Sequence, residues 1–261
     1  YDKVLGEGEF GKVYLSEWRK TKVASKVVNE KIPEDKKELF IKEFDTMTKI
    51  HHPNVIQLLG YVEDPLIIVM EYFDNGDLLS YISKNITFVN KKKQIACDIL
   101  KGLAYLHNRK PQFIIHRDLK SHNIFITKSG TAKIGDFGLS KILDNRDSLR
   151  ISPSKKELES DDLTTPVGSK RYMAPEIKKK LFYNEKSDIW SCGVIFVELF
   201  ECGNRYTDDF IWHFTPSQIR FIISSKMLQE NPKNRANAID IINEFDYLNN
   251  NFCFCSCFKT S

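Results

Sequence analysis

The sequence predicts an α+β chain of two lobes: a small β-rich lobe with one helix up to about Tyr72, and a larger, mainly helical lobe beyond it. Three observations carry this. Strand-length apolar runs fill the first third, and helical periodicity takes over from about residue 78. The 261 residues suffice for one large domain or two lobes sharing a cleft, with a core that needs neither disulfides nor a structural metal.

The elements follow in order. Val13 and Leu15 alternate with Tyr14 and Ser16, and Val23-Ala24-Ser25-Lys26-Val27-Val28 is a second strand-length run. Over residues 34–50 the pattern turns helical, with Phe40, Phe44 and Met47 on one stripe and Lys36, Lys37, Lys42 and Lys49 elsewhere. His52-Pro53-Asn54 ends that helix, because the residue before a proline avoids the α region. Residues 66–70 form another strand. Ile95, Ile99, Leu103 and Leu106 then mark a long amphipathic helix, and residues 189–200 are apolar nearly all round, as in a helix buried inside a lobe. Residues 143–165 are rich in Ser, Asp, Lys and Arg without periodicity, and read as a long loop. No internal repeat is visible.

Composition excludes several classes. Lys+Arg 39 against Asp+Glu 35 leaves +4, scattered rather than gathered, which is no footprint for nucleic acid. No apolar run approaches the ~18 residues that span a bilayer, and the start carries no signal-peptide pattern. The six cysteines (97, 192, 202, 253, 255 and 257) form no CxxC pair, so neither a zinc site nor a secreted disulfide framework is indicated. The expectation is an intracellular, cytoplasmic protein.

Gly6-Glu7-Gly8-Glu9-Phe10-Gly11-Lys12-Val13 contains GxGxxG, which alone can mark no more than a turn. In a dinucleotide fold such a loop joins a strand to a helix, whereas here residues 12–18 continue as a strand. A Walker-type loop needs a hydroxyl after Gly-Lys, and Val13 stands there. What remains is a hairpin whose glycines let backbone N–H groups approach nucleotide phosphates, with Phe10 closing the tip and Val13 facing the base.

Together with the motifs that follow, this loop resembles the protein kinases. Val23-Ala24-Ser25-Lys26 matches the strand of the phosphate-binding lysine, and period-2 alternation puts Ala24 and Lys26 on one face. Glu43 matches the helix glutamate that pairs with that lysine. His116-Arg117-Asp118-Leu119-Lys120-Ser121-His122-Asn123 matches the catalytic loop, Asp136-Phe137-Gly138 the metal-binding turn, and Ala174-Pro175-Glu176 the end of the activation segment. Asp188-Ile189-Trp190-Ser191 and Arg235 match two landmarks of the large lobe. A single tripeptide means little, but this set keeps its order from residue 5 to about 245.

The resemblance implies a bilobal protein-kinase-like fold over residues 1–250, with lobes of about 1–72 and 73–250, followed by a Cys/Phe-rich tail, 251–261. It implies ATP and Mg²⁺ as cofactors, a protein substrate with a Ser/Thr acceptor, Asp118 as the base, and Asn123 and Asp136 as metal ligands. Lys26, held by Glu43, is the phosphate-binding lysine, and Lys120 offsets charge on the γ-phosphoryl group. The nucleotide site it implies is Leu5, Gly6, Glu7, Gly8, Glu9, Phe10, Gly11, Val13, Ala24, Lys26, Met70 as gatekeeper, Glu71 to Phe73 as hinge, and Phe125 as floor. Glu176 with Arg235 is expected as a structural ion pair, and Asp188 as support for the catalytic-loop backbone.

Lys120 and Gly168-Ser169-Lys170-Arg171-Tyr172-Met173 resemble Ser/Thr kinases, and the phrases around Lys12, Trp18 and Leu106 resemble their tyrosine-kinase-like branch. Arg117 beside Asp118 implies activation-loop phosphorylation by an upstream kinase or by the chain itself, with Thr164 and Thr165 as acceptors; Ser152 and Ser154 read as solubilising. The chain departs from the family in Ser25, Phe125, Ser169 and a segment between Phe200 and Ile219 that looks shortened. The tail reads as a frayed terminus, with acylation or soft-metal binding as alternatives. The reading from a different class is a pseudokinase that binds nucleotide as a scaffold; loss of Lys26, Asp118, Asn123 or Asp136 would mark it, and all four are present.

Overall fold

The structure is a computed structural model that describes residues 3–8, 11–28, 44–85, 88–110, 112–136, 141–144, 169–179, 184–203 and 212–251. The first lobe is a five-stranded antiparallel sheet of order β1-β2-β3-β5-β4, built from β1 (Lys3–Gly8), β2 (Gly11–Trp18), β3 (Thr21–Val28), β4 (Leu58–Val62) and β5 (Ile67–Glu71). Its register sets Val13 opposite Lys26, and Ala24 opposite both Leu15 and Met70. Ala24 and Lys26 thus share a face, as the alternation predicts. Gly11 is obligatory in the β1–β2 hairpin: its φ is +144°, and an added Cβ would lie 2.0 Å from the Val27 carbonyl oxygen.

Of the helix predicted over 34–50, residues 44–48 are helical and Phe44 is buried, its ring 4.7 Å from that of Tyr61. Phe40 and Glu43 lie outside the described residues.

The second lobe is mainly helical. It carries α1 (Leu78–Asn85), α2 (Val89–Asn108), α3 (Pro175–Lys178), α4 (Glu185–Phe200), α5 (Ser217–Ile222), which runs into a wide turn at Ile223–Met227, and α6 (Ala238–Asn251). Ile95, Ile99, Leu103 and Leu106, the predicted stripe of α2, are all fully buried. So are Ile189 and residues 194–197 of α4. The start of α4 is fixed by a capping box: the Asn184 side chain accepts from the Lys186 N–H at 2.9 Å, and the Ser187 side chain reaches back to the Asn184 N–H. Phe196, Phe200 and Phe245 meet with ring centroids 5.9–6.5 Å apart and tie α4 to α6.

Two short two-stranded antiparallel sheets lie at the junction of the lobes. One joins β7 (Ile124–Ile126) to β8 (Ala132–Ile134), and the other pairs β6 (Gln112–Ile115) with β9 (Lys141–Asp144). β9 corrects the loop expected from residue 143: Leu143 and Asp144 continue the strand, because Phe113 and Gln112 of β6 supply backbone partners. The rest of the predicted loop lies outside the described residues.

The segment flagged between Phe200 and Ile219 is described at both ends. Glu201 is fully buried and accepts from the backbone N–H groups of His213, Phe214 and Thr215 at 2.8–3.2 Å, which closes the segment onto the end of α4. Among the described residues no helix is long and apolar enough to cross a membrane.

Candidate active site

The chain between β6 and β7 carries the polar run His116-Arg117-Asp118-Leu119-Lys120-Ser121-His122-Asn123, and the structure shows why a loop can be held there. His116 and Arg117 present their backbone N–H groups to the two oxygens of Asp188, at 2.8 and 3.0 Å, and His107 Nε2 lies 2.9 Å from Asp188 Oδ2. Asp188 is fully buried in the first turn of α4. Burial alone raises a carboxyl pKa, but the His107 hydrogen bond and the nearby imidazoles outweigh it, so Asp188 stays below the usual carboxylate range. This anchor sustains a strained backbone, since Arg117 has φ +65°. The imidazole of His116 is 2.9 Å from the Gly135 carbonyl and so links the loop to the residue before Asp136.

On this platform Asp118 becomes the focus of a network. One oxygen accepts from the Lys120 ammonium at 2.6 Å, and the other accepts from the Ser169 N–H at 2.8 Å. Lys120 also donates to the Ser169 hydroxyl at 3.2 Å. The serine that replaces the family's usual threonine therefore keeps the hydrogen bond to the catalytic loop. The Asn123 amide donates to the Asp118 carbonyl at 2.8 Å, which directs its carbonyl oxygen elsewhere.

Across the junction, Lys26 Nζ lies 2.7 Å from Asp136 Oδ1. Burial pushes the Asp136 carboxyl up, and the Lys26 charge and hydrogen bond more than offset this, leaving its pKa lowered. Asp136, like Arg117, has a left-handed backbone, with φ +59°. The structure thus brings together Lys26, Asp118, Lys120, Asn123 and Asp136 of the predicted site. Glu43, Glu9 and Phe10 lie outside the described residues, as do Thr164 and Thr165.

The floor and back wall also converge. Met70, Phe73 and Phe125 pack on one small cluster formed by Phe44, Ile56 and Leu58, with the Phe73 and Phe125 rings 6.2 Å apart. Leu5, Gly6, Glu7 and Gly8 lie on β1 at the sheet edge, where Glu7 pairs with Lys12 at 3.1 Å. Glu71 turns away from a purely backbone role: its carboxylate accepts from Lys133 at 2.8 Å and from the Gln57 N–H at 3.0 Å.

Some residues escaped the sequence reading. Gly135 is one: a Cβ there would lie 2.4 Å from Ile56 Cδ1 and 3.0 Å from the Phe125 ring, so the bulk of Phe125 is accommodated by a missing side chain. Glu198 is another. It ends an apolar run in the sequence, yet it is fully buried and gathers Arg171, Ser121 and the Tyr172 hydroxyl, the last at 2.9 and 3.0 Å. Glu176 and Arg235 form the expected buried ion pair, bidentate at 2.6 and 2.7 Å.

A strand-borne lysine reaching a carboxylate in the junction, above a loop that joins an aspartate to a lysine and an asparagine, is the layout of a phosphoryl-transfer fold. The match to known proteins agrees: the protein kinase domain family covers residues 1–247, and the chain belongs to that family. It is 37% identical over 209 residues to the serine/threonine-protein kinase VIK of Arabidopsis thaliana, covering 76% of this chain and 44% of that protein. It is 36% identical over 206 residues to the serine/threonine-protein kinase Nek5 of Homo sapiens (76% and 27%), and 36% over 202 residues to the serine/threonine-protein kinase CTR1 of Arabidopsis thaliana (75% and 23%). The chain thus spans less than half the length of each of these relatives. Those names and the family match favour a catalytic kinase domain over the scaffold reading.

Proposed function

We propose that the chain transfers the γ-phosphate of ATP to Ser/Thr hydroxyls of protein substrates, as a kinase domain of residues 1–250 with lobes dividing near Tyr72. The relatives named as serine/threonine kinases support the class of acceptor, and the phrases around Lys12, Trp18 and Leu106 support the tyrosine-kinase-like branch. One observation carries the reading: Asp118, Lys120, Asn123 and Ser169 form a single network while Lys26 and Asp136 pair across the junction.

Each residue then has a task. Asp118 accepts the proton of the substrate hydroxyl and aims it, and its bond to Lys120 fixes the carboxylate while leaving a cation beside the developing charge. Lys26 exchanges its carboxylate partner for the α- and β-phosphates. Ala24, Val13 and Leu5 flank the base from the sheet, Phe125 lies beneath it, Met70 closes the back and the backbone from Glu71 to Phe73 borders it. Glu43 orients Lys26, and the glycine loop from Gly6 to Gly11 covers the phosphates.

The residues present fit a magnesium ion. Among the described residues no cluster of three His, Cys, Asp or Glu side chains could hold a metal, and Mg²⁺ typically uses one or two protein oxygens completed by phosphates and water. Asp136 and Asn123 are the two oxygen donors for it; when bound, the ion neutralises charge on the phosphates. Arg117 and the acceptors Thr164 and Thr165 make activation-loop phosphorylation the regulatory expectation.

The test is incubation with magnesium and labelled ATP, comparing the wild type with Lys26→Met, followed by phosphoamino-acid analysis. Label on Ser or Thr in the wild type and its loss in the variant is expected. Equal label in both proteins, or label on tyrosine alone, would overturn the proposal.

A further inference from the structure

The end of α4 closes on a cysteine where glycine is usual. The Gly203 N–H donates to the Glu198 carbonyl at 2.7 Å, the bond that wraps a helix end around a left-handed residue. That residue is Cys202, with φ +57°, a conformation in which a side chain is strained. The side chain has a partner far along the chain. Lys92 of α2, 110 residues away, donates to Cys202 Sγ at 3.1 Å and to the Phe200 carbonyl at 3.0 Å.

Lys92 is only 4% exposed, and its described partners are this sulfur and that carbonyl, with no carboxylate among them. An ammonium has three donors and no acceptor, so the sulfur accepts in this contact. The neighbouring acids are committed elsewhere: Glu201 to the backbone of residues 213–215, and Glu198 to Arg171, Ser121 and Tyr172. Capping the last carbonyls of α4 needs only the lysine. It does not account for a cysteine in a strained position with its sulfur on the same ammonium.

The three described cysteines differ in reactivity. Cys97 and Cys192 are buried, and burial pushes the Cys97 thiol up to about 11 and the Cys192 thiol well above its ordinary value, so both are poor nucleophiles. Cys202 is exposed to solvent and has a cation against its sulfur.

We propose that Cys202 and Lys92 form an oxidant-driven covalent link, a sulfenamide that ties α2 to the end of α4 and reopens on reduction by thiols. The oxidant is a hydroperoxide such as hydrogen peroxide. The Cys202 sulfur attacks one peroxide oxygen, the O–O bond breaks, and a sulfenic acid and water form; sulfur is oxidised and peroxide reduced. Lys92 then releases one proton to solvent and its nitrogen attacks that sulfur. An N–S bond forms as the S–O bond breaks, and the hydroxyl takes a second proton from nitrogen and leaves as water. The contact at 3.1 Å holds nitrogen against sulfur before oxidation begins. One thiol reverses the link by cleaving N–S to a mixed disulfide and the free amine, and a second thiol frees Cys202. The inference is independent of the phosphotransfer reading.

The experiment treats the reduced full chain with hydrogen peroxide, digests it without reductant and reads the peptides by mass spectrometry. A parallel arm adds dimedone, which traps sulfenic acid. The proteins are the wild type, Cys202→Ser and Lys92→Arg, the last keeping a cation and donors for the Phe200 carbonyl but no nucleophilic amine. In the wild type the peptides of Lys92 and Cys202 should be joined, two hydrogens lighter than their sum, and separate again with dithiothreitol. The joined species should vanish in both variants, and dimedone should label Cys202 several-fold more in Lys92→Arg than in the wild type. Three results overturn the inference: Cys202 left unoxidised at peroxide doses that oxidise a cysteine peptide, a Cys202 sulfenic or sulfinic acid with Lys92 free, or a disulfide to another cysteine. Should Lys92→Arg fail to fold, the wild-type digest decides alone, since the joined peptides are either present or absent.

Discussion

The ion pairs beneath the catalytic loop and those that face the junction of the lobes use the same residue types and differ in their surroundings. Arg235 and Glu176 are almost wholly buried, at 0% and 6% side-chain exposure, and their geometry is bidentate. Lys26 and Asp136, at 11% and 36%, meet through a single oxygen. The first pair cannot trade partners without leaving a charge stranded in the interior, so it is architecture. The second keeps one member within reach of solvent, so an incoming phosphate or cation can replace either partner. Exposure of one member, more than distance, separates the pair that holds the fold from the pair proposed to do chemistry.

That comparison can be broken or sharpened by substitution. The largest effect on stability is expected from Arg235→Met, which strands Glu176 and should cost about 3–5 kcal/mol in denaturant unfolding; a loss below about 1 kcal/mol would undo the architectural assignment. Asp188→Asn should cost about 1.5–3 kcal/mol, since it weakens charge-assisted bonds to His116, Arg117 and His107. It should also change the pH profile. The folded-state pKa of Asp188 lies below the unfolded value of roughly 3.9, so its stabilisation is complete above that value and is lost as pH falls through the folded pKa. Wild-type stability should therefore drop more steeply than that of the variant below about pH 4, as read by unfolding midpoints across an acid series.

Gly135→Ala should cost about 1–3 kcal/mol, because its methyl would crowd Ile56 and Phe125. Adding Phe125→Leu should recover part of that loss; no recovery would show that the two positions are not coupled. The smallest effect belongs to the exposed Lys12–Glu7 pair, at 42% and 61% exposure: Lys12→Ala should move the unfolding free energy by less than about 1 kcal/mol.

Legibility in the sequence follows the same division. Lys26, Asp118, Asn123 and Asp136 stand out in the sequence because the resemblance assigns phosphoryl transfer to those residue types in that order, and the structure brings them together at the junction. The strands and the buried helix α4 were readable from periodicity, which is local. Asp188 and the Glu176–Arg235 pair were readable only through the resemblance. Glu198 was not, because its partners Ser121 and Tyr172 lie 77 and 26 residues away and nothing in an apolar run announces them. The contact of Glu71 with Lys133 spans 62 residues and was missed for the same reason. Gly135 looked like an ordinary residue before a motif; its necessity exists only once Ile56 and Phe125 are packed against it. Leu143 and Asp144 carry no strand pattern of their own, because a two-residue extension of a strand depends on its partner, β6.

The central claim is that Asp118 acts on substrate while the buried pairs only hold it in place. Single-turnover transfer from labelled ATP to a Ser-containing peptide, run on the wild type and Asp118→Asn alongside a thermal melt, tests it most directly. Transfer should fall by about 10²–10⁴ in the variant while the melt stays within about 1 kcal/mol of the wild type. Equal transfer by the two proteins, with the variant fully folded, would contradict the account.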